Sequence, residues 1–325
     1  MPTKAKPTAV HRPLLRDTWS LVWERKPLWV FGIFSAIIAT GGLFETLGHN
    51  IRRITQGRDL LLDAMRGSFV GLDAFSQYVQ LIVRTNPHEA TTVVSVLAVL
   101  GLVIVLGAIV AQGGLIRALM AKKELRLEEV IHEGVWMFHR ALVLAFLSKV
   151  VTVLLILLST LPLVLFLSQA TWSNALLFFF LFMAFIPAMG LVSAVSMLSL
   201  VDIAKQNSTV HDAVHNSFVL LKRAWLPVLE LACTLFGLVL AGLIALTIIL
   251  SIAAIPYTIL MVLALLAGSP FLFSLFNIGG VIICMTLVLT YVGFTVTFQY
   301  AAWLKFYERA HNKKALVAKL ERILG

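Results

Sequence analysis

Three stretches of this chain contain no Asp, Glu, Lys or Arg: Ala90 to Ile116, Val150 to Val201 and Leu231 to Leu304. A soluble core cannot absorb uncharged runs of that length, whereas a membrane-spanning helix needs about 20 consecutive apolar residues. In hydrocarbon, backbone N–H and C=O groups must be paired within the segment, which makes each run helical. The composition agrees. Only 13% of the 325 residues are charged, about half the share expected of a soluble domain.

One pattern introduces these runs. Leu127 to Leu142 (LEEVIHEGVWMFHRAL) places Leu127, Val130, Ile131, Val135, Phe138 and Leu142 at the spacing of one helix face. Val210 to Trp225 (VHDAVHNSFVLLKRAW) repeats it, with Asp212, His215 and Arg223 matching Glu129, His132 and Arg140. A looser copy opens the chain at Leu14, Leu15, Trp19 and Val22, followed by Glu24, Arg25 and Lys26. Each copy precedes an apolar run. The expected unit is an amphipathic helix on the membrane surface that turns at a basic knuckle into a spanning helix. In this scheme Leu15, Ile131 and Val214 are buried while Arg16, His132 and His215 face water or headgroups.

Charge placement orients the unit. With six spans and both ends inside, the outer segments hold Arg52, Arg53, Arg58, Arg66 and Arg84 against Glu45, Asp59, Asp63, Asp73 and Glu89, which cancel. Lys149 and Glu230 lie within apolar runs. The whole net charge of +10 then belongs to the cytoplasmic side, as the positive-inside rule requires. Anionic lipid headgroups account for that basicity, so no nucleic-acid partner is implied. The tryptophans agree: Trp19, Trp23, Trp29, Trp136, Trp225 and Trp303 fall at the inner interface and Trp172 in an outer turn.

In order, the sequence predicts a disordered basic tail over 1–13, a single six-span membrane domain over 14–304 and a basic amphipathic helix over 305–325. The repeats cover about 14–120, 127–204 and 210–304. The basic start followed by a membrane-length run does not read as a cleaved signal peptide. Spans are expected from Leu28 to Leu47, Ala90 to Gln112, Ala141 to Leu167, Ala175 to Val201, Ala224 to Ala254 and Ile278 to Leu304. Glu45 to Glu89 forms the long outer segment, with an amphipathic helix on Leu72, Phe75, Val79 and Ile82. Gly32 and Ala36 offer a smooth face to another helix, as do Cys233, Gly237, Ala241 and Ala245. Pro256 to Ala267 is too short to span and is expected to be half-inserted in the outer leaflet.

Three constellations carry possible chemistry. Glu129-x-x-His132 and Asp212-x-x-His215, with His211, have the spacing of helical metal ligands; the same acids suit the starts of helices, where the dipole favours them. Ser193, Ser196 and Ser199 share a face of span four and Thr286, Thr290 and Thr297 lie on span six, a polar path for a solute or a set of helix-to-helix hydrogen bonds. Lys149 and Glu230 lie at similar depth, so an intramembrane charge pair between them is expected. Motifs for zinc proteases, serine hydrolases, nucleotide-binding loops and dithiol redox centres are absent from the sequence, and no cofactor is implied.

The surface helix, the basic knuckle and Leu28-Trp-Val-Phe-Gly32 opening the first span resemble a broad group of uncharacterised bacterial six-span proteins. The layout is also similar to the membrane domain that accompanies some glycerophosphodiester phosphodiesterases. That resemblance implies a bacterial cytoplasmic-membrane protein with a lipid- or envelope-related role. The soluble phosphodiesterase domain has no counterpart here, so no catalytic residue carries over. The expected fold is all-α, with six spans as three hairpins. The expected function is non-enzymatic: organising or binding lipids or membrane-protein partners. A small-solute or lipid transporter is the alternative, and a membrane-embedded metalloenzyme the third reading.

Overall fold

The computed structural model describes residues 11–39, 87–121, 123, 125–168 and 172–311. Every regular element among them is a helix: α1 (His11–Glu24), α2 (Leu28–Ala39), α3 (Pro87–Met120), α4 (Leu127–Ser168), α5 (Trp172–Gln206), α6 (Val210–Arg223), α7 (Trp225–Leu266) and α8 (Pro270–His311). Five of these, α3, α4, α5, α7 and α8, are long and apolar enough to cross a membrane. The span expected from Leu28 to Leu47 begins as α2, which is apolar but too short among the described residues to count with these five. The rest of that span, the outer segment with its amphipathic helix, and the tail over 1–10 lie outside the described residues.

Proline decides where a short leading helix breaks from the long apolar helix after it. α1 ends before Pro27, which has no N–H to continue the ladder. The turn closes through Leu28 N–H to the Arg25 carbonyl and Trp29 N–H to the Lys26 carbonyl, both 3.0 Å. The Trp29 indole also donates to the Val22 carbonyl at 3.1 Å. α6 stops at Ala224, three residues ahead of Pro227 in the first turn of α7, with Ala224 out of helical geometry at φ −132° and ψ 39°. The stretch after Arg140, Ala141 to Ala145, contains no proline, and there the expected knuckle does not form. α4 is one unbroken helix of 42 residues. Two further boundaries differ from expectation. Pro256 lies inside α7, so Pro256 to Ala267 continues the spanning helix and the chain turns at Gly268, whose φ is +61°. α8 likewise runs through Lys305 without a break at the expected domain edge.

The core sits at the end of the bundle that carries Arg25, Arg140 and Arg223, termed here the basic end. α8 is its pillar: Tyr300, Ala301, Ala302, Leu304, Phe306 and Tyr307 are all buried. α1, α2, α3, α5 and α7 pack around α8, and α4 joins through α3 and α5. Glycines allow the closest crossings. A Cβ on Gly134 of α4 would strike the Val110 carbonyl of α3, and one on Gly114 would strike the Val130 carbonyl. Gly32 of α2 meets Gly293 and Thr297 of α8 in the same way, with Ala36 buried beside it. Thus Gly32 and Ala36 do present a face to another helix. Cys233, Gly237, Ala241 and Ala245 do not; they are exposed, and α7 packs through Leu231, Leu235, Gly242 and Leu246 instead. The α7–α8 hairpin is stitched by two tyrosines, each against a glycine of the facing helix. Tyr291 lies on Gly242 and donates to the Val239 carbonyl at 2.7 Å, while Tyr257 lies on Gly280 and donates to Asn277 Oδ1 at 3.2 Å.

The buried seam of these leading segments is displaced from the expected one. Ile131 is 49% exposed, and Leu15 and Val214 are only half-buried. Fully buried instead are their predecessors Leu14, Val130 and Ala213, followed four residues on by Thr18, Gly134 and Ser217. Lipid solvates large apolar side chains as well as protein does, so close helix contact selects small residues, not the largest apolar ones. Arg16, His132 and His215 are exposed, as expected.

Candidate functional site: a buried carboxylate at the basic end

Asp202, in the last turns of α5, is fully buried. Its carboxylate accepts three hydrogen bonds from three directions. Tyr307 of α8 donates to Oδ1. Ser208, in the α5–α6 link, donates to Oδ2 at 2.8 Å, and Asn216 of α6 donates to the same oxygen at 3.3 Å. Gln206 Nε2 in turn donates to the Tyr307 hydroxyl at 2.8 Å, and the Lys205 ammonium lies 5.5 Å from the centre of the Tyr307 ring. A buried carboxylate is costly unless its lone pairs are occupied. Here neutral donors occupy them, and the result is an anchor joining α5, α6 and α8. Two turns deeper on the same face of α8, Tyr300 accepts from Gln112 of α3 at 2.6 Å. Ser199 adds a bond to Ser217 at 3.0 Å, and Ser148 one to Ser196 at 2.9 Å.

Sequence reasoning missed Asp202, counting it among the inner-face charges because it borders an uncharged run. The available signal was Asp202 and Gln206 at i and i+4, followed closely by Ser208 and Asn216.

The basic knuckles close helix ends. Arg25 donates to the Ala118 and Ala121 carbonyls at 2.6 and 2.8 Å, capping the C-terminus of α3. Arg140 donates to the Asn207 carbonyl at 3.0 Å and to the Asn207 side chain, capping α5. Asn207 has the positive φ, 58°, common just past a helix end. A cation there also complements the negative end of the helix dipole.

The metal-ligand candidates are helix-start groups. Glu129 accepts from the Arg126 N–H at 2.8 Å, and Thr209 caps α6 by accepting from the Asp212 N–H at 3.3 Å. The Asp212 carboxyl is held below the usual range by the Thr209 hydroxyl, 2.6 Å away, and further by the neighbouring His211 and His215. His211 Nδ1 is 3.7 Å from Asp212 Oδ1, while His132 stands exposed on α4. Among the described residues no group of three or more His, Cys, Asp and Glu side chains converges.

The hydroxyls of the expected path are not brought together. Thr286 and Thr290 face outward and bond the carbonyls of Ile282 and Thr286. Ser193 is exposed, Ser196 and Ser199 join helices, and Thr297 donates to the Leu28 carbonyl at 3.4 Å. Lys149 and Glu230 are each half-buried, on α4 and α7. α4 packs mainly on α3 and α5, whereas α7 packs mainly on α8 and more lightly on α5 and α6. No family model matches the chain, and no curated protein or solved structure matches it either.

Proposed function

We propose that this is a non-enzymatic, six-span protein of the cytoplasmic membrane, with both termini cytoplasmic, that binds lipid or a membrane-protein partner. The basic end then faces the cytoplasm and the three hairpins repeat one plan, each led by a surface segment. The resemblance to a broad group of uncharacterised bacterial six-span proteins supports the same reading.

One observation carries the binding role. α7 and α8 are each 42 residues long, about 63 Å of helix against a hydrocarbon core of about 30 Å. Their far halves nonetheless remain apolar and outward-facing, with Ile252 63%, Leu266 79% and Phe271 73% exposed. A hairpin with more apolar surface than the bilayer requires is suited to a specific apolar neighbour. A photoreactive residue at Ile252 should capture one adduct of defined mass, a lipid species or a protein, while one at Val103 on α3 captures the bulk lipid mixture. The same mixture at both positions would contradict the reading.

A further inference from the structure

At the basic end, Arg117 from the last turn of α3 and Arg140 of α4 converge on one indole. Their guanidinium carbons lie 4.5 and 5.6 Å from the centre of the Trp136 ring. Opposing charge is sparse: Glu133 Oε2 is 3.9 Å from Arg117 Nη1, and the Arg117 Nε is buried without a hydrogen-bond partner. Arg140 commits one nitrogen, Nη1, to Asn207. Among the described residues the site therefore holds two cations, one carboxylate at 3.9 Å and guanidinium donors left over, beside an indole that is 52% exposed.

The same helix face continues away from the arginines as a purely apolar track. Val143, Leu147, Val150 and Leu154 follow Trp136 and Arg140 at alternating steps of three and four, and all are exposed. From Arg140 to Leu154 the track rises about 21 Å, longer than one leaflet of hydrocarbon, about 15 Å. We propose that this face binds an anionic phospholipid, its headgroup phosphodiester gripped by Arg117 and Arg140 against Trp136 and its acyl chain lying along Val143 to Leu154. Guanidinium forks match phosphate oxygens in pairs, and charge complementarity selects an anionic lipid over a zwitterionic one. The proposal rests on the reading that the basic end lies among cytoplasmic headgroups.

The test is native mass spectrometry of the full chain in detergent, titrated with phosphatidylglycerol, with phosphatidylcholine and with inorganic phosphate. Wild type should retain phosphatidylglycerol in preference to phosphatidylcholine. Arg117→Gln, which loses the Glu133 ion pair and the contact with Trp136 but no interhelix hydrogen bond, should weaken that retention about tenfold with a smaller drop in melting temperature than Arg140→Gln. Arg140→Gln should weaken it too, but at some cost in stability. Equal retention of the two lipids, or an unaffected Arg117→Gln, would overturn the proposal; so would full displacement of the lipid by millimolar phosphate, which would mark a site for the free anion. Thiol labelling of Lys123→Cys separates the two readings. Lost lipid selectivity with Lys123 protected in intact cells sinks this site alone, whereas Lys123 labelled from outside sinks the orientation on which it rests.

Discussion

Tyr307 donates its hydroxyl proton to Asp202, 105 positions away in the chain, fastening the end of α8 to the end of α5 inside the protein core. The bond explains why Tyr307 is buried although it stands among charged residues, between Lys305 and Glu308. It also explains how an uncharged run can end in a buried acid.

Tyr307→Phe should lower stability by about 1–3 kcal/mol, because Asp202 keeps two of its three donors. Asp202→Ala should cost more, since it leaves three donors, the buried Tyr307 hydroxyl among them, without that acceptor. In a double-mutant cycle read by thermal melting in detergent, the two changes should be strongly non-additive. Simple addition would mean that the two side chains do not act together.

The glycine crossings make a contrasting prediction. Gly134→Ala and Gly114→Ala press a methyl into a facing carbonyl and should each destabilise by about 1–3 kcal/mol. Gly107→Ala on α3 meets nothing within 4 Å and should be neutral or stabilising by up to about 1 kcal/mol through helix propensity. Melting temperatures of the three variants decide it.

Lys149→Glu and Glu230→Lys should each reduce folded yield in detergent, and the double swap should not restore it, because α4 packs mainly on α3 and α5 while α7 packs mainly on α8. Restoration would show that they do meet in the membrane.

The depressed Asp212 carboxyl carries a pH dependence. A lowered folded-state value means that its contribution to stability is present above the unfolded value, about 3.9, and is lost as pH falls through the folded value. Thr209→Val should raise the Asp212 pKa toward the ordinary range, since the Thr209 hydroxyl is the largest cause of the shift. An NMR titration of the carboxyl reads this directly; an unmoved value would leave the His211 and His215 charges as the cause.

Helical class and the spanning runs were legible in the sequence because hydrocarbon leaves little choice: uncharged runs such as Leu231 to Leu304 must be helical. Knuckle breaks were legible only where proline writes them, at Pro27 and Pro227; amphipathic pattern alone misplaced one at Arg140. The buried face was read one residue off at Ile131. A pattern of large apolar residues marks what water avoids, and in lipid those side chains turn outward while Leu14, Val130 and Ala213 go in. Asp202 escaped because its partners, Tyr307 and Asn216, lie on other helices and have no spacing that a single segment reveals.

The central claim is that the basic end, where the core and the arginine caps are gathered, faces the cytoplasm. With Cys233 and Cys284, the chain's two cysteines, replaced by alanine, single Trp172→Cys and Lys123→Cys variants can be treated with a membrane-impermeant thiol reagent in intact cells. The account predicts labelling of Trp172→Cys and none of Lys123→Cys until the membrane is permeabilised. Labelling of Lys123→Cys in intact cells would contradict it.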